Sequence, residues 1–225
     1  MKGQIIIING TSGSGKSTAC ELFARTAEDF WLLYGIDHFM GATFPRQYGQ
    51  HGKHSKEGIY AQALDETKPD GTLHWVFSQQ AYKAFHAFHR WIAASSEAGC
   101  NIILDHLMMT EPKILQDCIW ALKDYPVLFV NLKPPYEVLQ ERISTREIGQ
   151  RFPNSNYDEE QIKRSKERLE RLRPWFYQAV YTNDCYDLEI DTAHYNPEQV
   201  CELIKQRLKQ GPGIAFEKLR GRYPQ

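Results

Sequence analysis

The sequence predicts a three-layer α/β fold built on a parallel sheet, and three observations carry the prediction. Short apolar segments at 4–9, 31–36, 101–105, 127–132 and 186–190 alternate with stretches of helical periodicity, the order that produces a parallel sheet with helices on both faces. The first of them, Ile5-Ile6-Ile7-Ile8, is apolar at consecutive positions, as a strand buried on both faces must be. It runs without a break into Gly10-Thr11-Ser12-Gly13-Ser14-Gly15-Lys16-Ser17-Thr18 and then into a helical segment, 17–28.

That nine-residue turn completes the pattern G-x-x-x-x-G-K-[ST] in the strand, turn and helix setting the pattern needs. The predicted fold is therefore a P-loop NTPase sandwich, a five-stranded parallel sheet flanked by helices and carrying a helical lid. The residue types follow from the chemistry. Successive backbone N–H groups of such a turn form a concave anion site, the helix behind adds its positive end, and glycine lets the main chain approach phosphate oxygens. Lys16 is expected to reach the β/γ-phosphates of a nucleotide and the Ser17 hydroxyl to bind Mg²⁺. A flexible Gly/Ser turn is the plain alternative, against which stand the buried-type strand in front and the amphipathic helix behind.

Composition narrows the class. A chain of 225 residues with a formal charge of −1 suits one compact domain with insertions and argues against a broad nucleic-acid surface. Five dispersed cysteines without a C-x-x-C pair read as reduced thiols of a cytoplasmic protein and argue against zinc. The isoleucines near the N-terminus are too few for a signal peptide or a membrane helix, and no later run approaches spanning length. Oligomeric state is not legible in these features.

In chain order, the helix behind the glycine loop carries Ala19, Cys20, Phe23 and Ala27 on one face, a spacing that lays it on the sheet. Strand two, Trp31-Leu32-Leu33-Tyr34-Gly35-Ile36, stops at Asp37. Ligands of parallel sheets sit beyond the carboxyl ends of strands, where the glycine loop also lies, so Asp37 falls within reach of a γ-phosphate; capping of the next helix is the ordinary alternative. From 38 to 77 periodicity fails, around Pro45, Pro69 and Asp70-Gly71, and so long an irregular stretch reads as a lid or binding loop. His51 and His54 within it read as solvated rather than metal-ligating. A helix over 78–98 places Ala81, Phe85, Phe88, Trp91 and Ile92 inward and Lys83, His86, His89 and Arg90 outward.

Strand three, Asn101-Ile102-Ile103-Leu104-Asp105, again closes on a carboxylate, the Walker-B arrangement in which the acid holds Mg²⁺ in concert with the P-loop hydroxyl. His106 behind it reads equally as a substrate contact or as structure. After a helix near 111–123 and strand four, Pro134-Pro135 opens a helix carrying Val138, Leu139, Arg142, Ile143 and Arg146. It breaks at 149–154, and another helix opens on Asp158-Glu159-Glu160 and ends on Arg168, Arg171 and Arg173. The arginine-rich span 142–173 reads as a mobile lid whose Arg142, Arg146 and Arg151 could neutralise charge on a transferring phosphoryl group; a salt-bridged exposed helix pair is the duller alternative. Strand five leads through Asp191-Thr192 to a helix capped by Asn196 with Pro197 in its first turn. A single domain is expected over 1–211, with 38–77 as an acceptor-binding insertion and 212–225 as a loosely held tail.

This order of motifs resembles the nucleoside-monophosphate-kinase-like P-loop enzymes. Within them, Ile5 to Ser12, Trp31 to Asp37, Asn101 to Asp105 and Tyr186 to Thr192 are similar to the chloramphenicol phosphotransferase family. The resemblance implies ATP, Mg²⁺ and phosphorylation of a hydroxyl on a small molecule. It gives Asp37 the part of general base and makes the Thr192 region a candidate for contact with the adenine. Residues 38–77 match no pattern of the family, and His106 stands where the resemblance favours a second acid.

The expected function is transfer of the ATP γ-phosphate to a small-molecule hydroxyl, with the amides of 11–16 cradling phosphates, Ser17 and Asp105 holding metal, and Asp37 deprotonating the acceptor. A nucleotide, nucleoside or other metabolite kinase on the same scaffold is the alternative enzyme. A non-catalytic ATP-binding regulator is the alternative from another class; a GTPase switch is disfavoured because no D-x-x-G or N-K-x-D pattern occurs.

Overall fold

The computed structural model describes residues 1–145 and 159–225. The chain begins with β1 (Ile5–Asn9), α1 (Lys16–Thr26), β2 (Trp31–Gly35) and the single turn α2 (Ile36–His38). A hairpin, β3 (Ile59–Ala63) and β4 (Leu73–Phe77), precedes α3 (Gln79–Glu97), β5 (Asn101–His106) and α4 (Ile114–Ala121). Then come β6 (Val127–Leu132), α5 (Tyr136–Ser144), α6 (Glu159–Tyr181), β7 (Leu188–Ile190), α7 (Pro197–Lys209) and α8 (Ala215–Arg222).

The main sheet has the order β2-β5-β1-β6-β7, with every pair parallel. The four isoleucines of β1 have no solvent exposure because alternate side chains enter different layers. Ile5 and Ile7 join a core with Phe85, Phe88, Leu115 and Ile119, while Ile6 and Ile8 join one with Ala19, Phe23, Val200 and Ile204. Parallel pairing brings the carboxyl ends of the strands to one edge, with Asp105 opposite both Ile8 and Gly35, and Asn9 opposite both His106 and Asn131. Asn196 caps α7 as its sequence announces: Gln199 N–H donates to the Asn196 side chain and the Gln199 side chain accepts from the Asn196 N–H.

Three expectations are corrected. The stretch 38–77 is not structureless. After a π-helical turn, Phe39–Thr43, and two short 3₁₀ turns, it folds into the antiparallel pair β3–β4. Leu73, Trp75 and Phe77 of β4 alternate into the core, Phe39 stacks on Phe88 at 4.7 Å, and Trp75 meets Phe176 of α6 edge-on. The last helix of the lid span does not end at Arg173; α6 continues through Pro174, which donates no backbone bond, to Tyr181. Arg168 donates to the Gln50 carbonyl and Arg171 to those of Pro69 and Gly71, so these two arginines hold the insertion rather than a rim open to solvent.

The tail is the third correction. Asp187, its side chain buried, accepts from the N–H groups of Ile214 and Ala215 at 2.7 and 3.0 Å and so caps the first turn of α8. Ala215, Phe216 and Leu219 are buried, and Phe216 lies against Phe129. Among the described residues no helix is long and apolar enough to cross a membrane. If α8 is part of the core, Leu219→Ala costs about 2–5 kcal/mol in a denaturant titration; a wild-type midpoint would return 212–225 to a dispensable tail.

Candidate active site

The glycine loop is built from the strand outward. β1 ends at Asn9, Gly13 adopts φ +84°, and Gly15, at φ +94°, is the N-cap of α1. A side chain at Gly13 would also lie 3.1 Å from Ile143 and 3.3 Å from Leu139, because α5 packs down on the loop. Thr11, Ser14 and Lys16 are buried, whereas Ser17 and Thr18 are exposed in the first turn of the helix. Lys16 Nζ donates to the Thr11 carbonyl at 2.9 Å.

Side chains that sequence reasoning did not single out support this loop from below. Asn9 Oδ1 accepts the Met108 N–H, and its Nδ2 donates to Asn131 Oδ1, the Val180 carbonyl and the Tyr186 hydroxyl. Asn131 in turn donates to Glu189 at 2.8 Å. Tyr181 accepts the Thr11 N–H and donates to the Leu132 carbonyl; burial pushes its pKa up to about 12, so the hydroxyl stays protonated for that bond. Position next to the glycine loop was the one available signal for Asn9, and nothing in the sequence marks Tyr181.

Arg142 reaches the loop from α5. Its guanidinium donates to the Gly13 carbonyl, to Thr192 Oγ1 at 3.0 Å and to the Thr192 carbonyl at 2.7 Å. Thr192 Oγ1 donates to the Ser14 carbonyl, so both residues brace the outer wall of the loop. Arg146 and Arg151 lie outside the described residues.

On the other side, Ser17 Oγ donates to Asp105 Oδ2 at 2.8 Å across a sequence separation of 88 residues. Asp37 lines the same cleft of about 200 Å³, with Glu21, Tyr34 and His38 around it. It does not cap α2, whose N-cap is Gly35. Three carboxylates around one cleft repel a polyphosphate unless a divalent cation joins them, and the Ser17 hydroxyl with the Asp105 carboxylate are hard oxygen donors of the kind Mg²⁺ prefers. Cys20 also lines the cleft, but burial and the Asp105 charge hold its thiol well above the usual range, which removes it as a nucleophile. Gly35 is required by close approach alone: a Cβ there would stand 1.8 Å from Asp105 Oδ1.

The histidines of α3 depart from expectation. His86 is exposed, but His89 is fully buried, hydrogen-bonded to Asp117 and, at 3.1 Å, to the buried His106. His106 therefore faces the α3 layer and not the cleft. Trp91, expected inward, is 42% exposed and lies against Tyr34 with the two rings tilted by 43°.

A glycine loop with a buried lysine, an acid at the end of the neighbouring strand and a five-stranded parallel sheet define a kinase of the P-loop fold. Solved structures agree on the fold. An APS kinase of Mycobacterium tuberculosis in complex with AMPPNP and APS superimposes with a TM-score of 0.54 at 14% identity, over 92% of this chain and 98% of that one. A sugar kinase from Janibacter sp. HTCC2649 gives 0.50 at 19%, over 92% and 95%. The chain belongs to the chloramphenicol phosphotransferase-like family, whose sequence profile matches residues 3–209. Two Mycobacterium tuberculosis proteins, each carrying the name "Putative O-phosphotransferase", are 25% identical to it over 229 residues, covering 99% of this chain and 90% of theirs.

Two predictions follow from this geometry. Gly35→Ala forces the Asp105 carboxylate away from Ser17, so metal-dependent nucleotide binding, measured calorimetrically, weakens roughly 10- to 100-fold; undiminished binding would remove Asp105 from the site. Burial lowers the pKa of His89, an effect that its bond to Asp117 only partly offsets, so below about pH 6.5 the unfolded chain takes up a proton the native state refuses. Stability is then flat above that pH and falls as pH drops, by up to about 1.4 kcal/mol per pH unit from this group. Denaturant titrations between pH 5 and 8 measure the slope, and His89→Leu reduces it.

Proposed function

We propose that this protein transfers the γ-phosphate of ATP to a hydroxyl group of a small molecule. One observation carries the reading: Asp37, Ser17 and Asp105 line a single cleft at the carboxyl edge of the sheet, beside the glycine loop. Family membership supports it, as do the relatives named for O-phosphotransfer.

The backbone amides of 11–16 hold the β/γ-phosphates, and Lys16 exchanges the Thr11 carbonyl for a phosphate oxygen. Ser17 and Asp105 hold Mg²⁺, which when bound neutralises charge on the phosphates. Asp37 orients the acceptor and takes its hydroxyl proton as the new O–P bond forms and the bond from the γ-phosphorus to the bridging oxygen breaks, leaving ADP. Exposure leaves the carboxylate of Asp37 reachable by an alcohol entering from the cleft. Arg142 keeps the loop wall in place, and Thr192 flanks the adenine. The free thiols of all five cysteines suit the cytoplasm.

The test is a panel of metabolites and antibiotics, chloramphenicol included, scored for ATP consumption and by mass for a product that has gained a phosphate. With an authentic acceptor, Asp37→Asn lowers transfer by about 10²- to 10⁴-fold while nucleotide binding holds. Wild-type rates in that variant would remove Asp37 as the base.

A further inference from the structure

Helices α3 and α4 are joined to β5 by a chain of side chains that the proposed chemistry does not use. His86 Nδ1 bonds one oxygen of Asp117 at 2.8 Å, and His89 Nδ1 bonds the other. His89 Nε2 meets His106 Nε2 at 3.1 Å, and the Leu107 backbone N–H donates to His106 Nδ1 at 2.8 Å. The chain starts at the surface and ends one residue past Asp105. Both inner rings have no solvent exposure and lie against Phe85 and Phe88.

The ends of the chain dictate where its protons sit. A backbone N–H only donates, so His106 Nδ1 presents its lone pair; an ionised carboxylate only accepts, so His89 Nδ1 carries hydrogen. Two neutral rings then leave one hydrogen between the facing nitrogens, on His106 Nε2. Burial, which lowers the pKa of both rings, agrees with neutral forms. With its last lone pair covered by Leu107, the chain has no open nitrogen through which to pass a proton to the cleft. What it can do is hold position.

It holds the exit of β5. Beyond His106 the next two backbone N–H groups are taken by side chains, Leu107 by the His106 ring and Met108 by Asn9 at 2.9 Å. Asn9 is the residue before the glycine loop, so the segment behind Asp105 is pinned to the loop strand on one side and to the His106 ring on the other. A ring bonded at both nitrogens cannot swing, and His89, aimed by Asp117, supplies the second bond. A buried polar chain of this kind is seldom a gain in stability over apolar side chains of similar size, which favours a positioning use.

We propose that His106, aimed by His89 and Asp117, is a positioning residue that fixes the β5 exit and with it the Asp105 carboxylate against Ser17. The inference rests on the reading above, in which Asp105 and Ser17 hold the cation of the metal–nucleotide complex.

The side-chain amides of Asn and Gln separate a positioning role from mere packing. Asn at 106 places an oxygen near the site of Nδ1 and can still accept the Leu107 N–H; Gln places its amide near Nε2, keeps the contact with His89 and leaves Leu107 unpaired. Two readouts apply to the full-length protein: exchange of the Leu107 amide without ligand, and Mn²⁺ affinity in the presence of a non-hydrolysable ATP analogue. Both His106→Gln and His89→Leu are expected to speed Leu107 exchange and weaken Mn²⁺ binding by about tenfold or more, with His106→Asn, which keeps the bond to Leu107 but not the one to His89, losing less than His106→Gln in both. Equal effects of Asn and Gln, or losses that follow melting temperature alone, overturn the proposal. Wild-type protein that binds the analogue without responding to Mn²⁺ overturns the metal assignment as well, whereas wild-type Mn²⁺ affinity in His106→Gln overturns only the positioning role.

Discussion

The bond from Ser17 to Asp105 exists because β1 and β5 are neighbours in parallel register, and much of the surrounding structure keeps them so. Ile8 lies opposite Asp105, and the helix bearing Ser17 starts at Gly15, so strand pairing and the conformation of one turn together set the distance between two residues far apart in the chain. β5 is also paired on its other side with β2, which presents Gly35 at the height of Asp105 and leaves room for the carboxylate. The same pairing places Asp37, two residues past Gly35, on the cleft. A shift of either strand by one residue would turn these side chains to the opposite face of the sheet.

Beneath the loop the molecule uses polar side chains where apolar ones would fill the space. Asn9, Asn131 and Tyr181 are buried and hydrogen-bonded, and an unmade bond at any of them would cost about 1–3 kcal/mol. That penalty disfavours other arrangements of the loop. A site that works by positioning and electrostatics needs walls that do not rearrange as charge moves, and such a network provides them.

The insertion and α6 form a second unit of the same logic. Arg168 and Arg171 bind backbone carbonyls of the insertion, while Trp75 and Phe176 bury an aromatic contact between the two. Carbonyl oxygens turned toward a half-buried guanidinium are well satisfied, and the long arginine stems cover apolar surface. Helix α6 and the segment after β2 are thereby attached to one another.

The sequence by itself determined the parallel sheet, the glycine-rich turn between β1 and α1 and the two carboxylates beside the strand ends, because each rests on local order: consecutive apolar residues, glycines at fixed spacing, an acid closing an apolar run. The cap of α7 was legible for the same reason. Strands β3 and β4 were not, since the alternation over 73–77 is short and lies among loops. Nor was the docking of α8, because its cap, Asp187, comes from the start of β7 and not from the residues before the helix. Tertiary structure alone decided that His89 turns inward, that Arg168 and Arg171 serve the insertion, and that Gly35 must lack a side chain. In each case the partner is distant in sequence, and only folding brings it within the few ångströms over which a hydrogen bond or a steric contact acts.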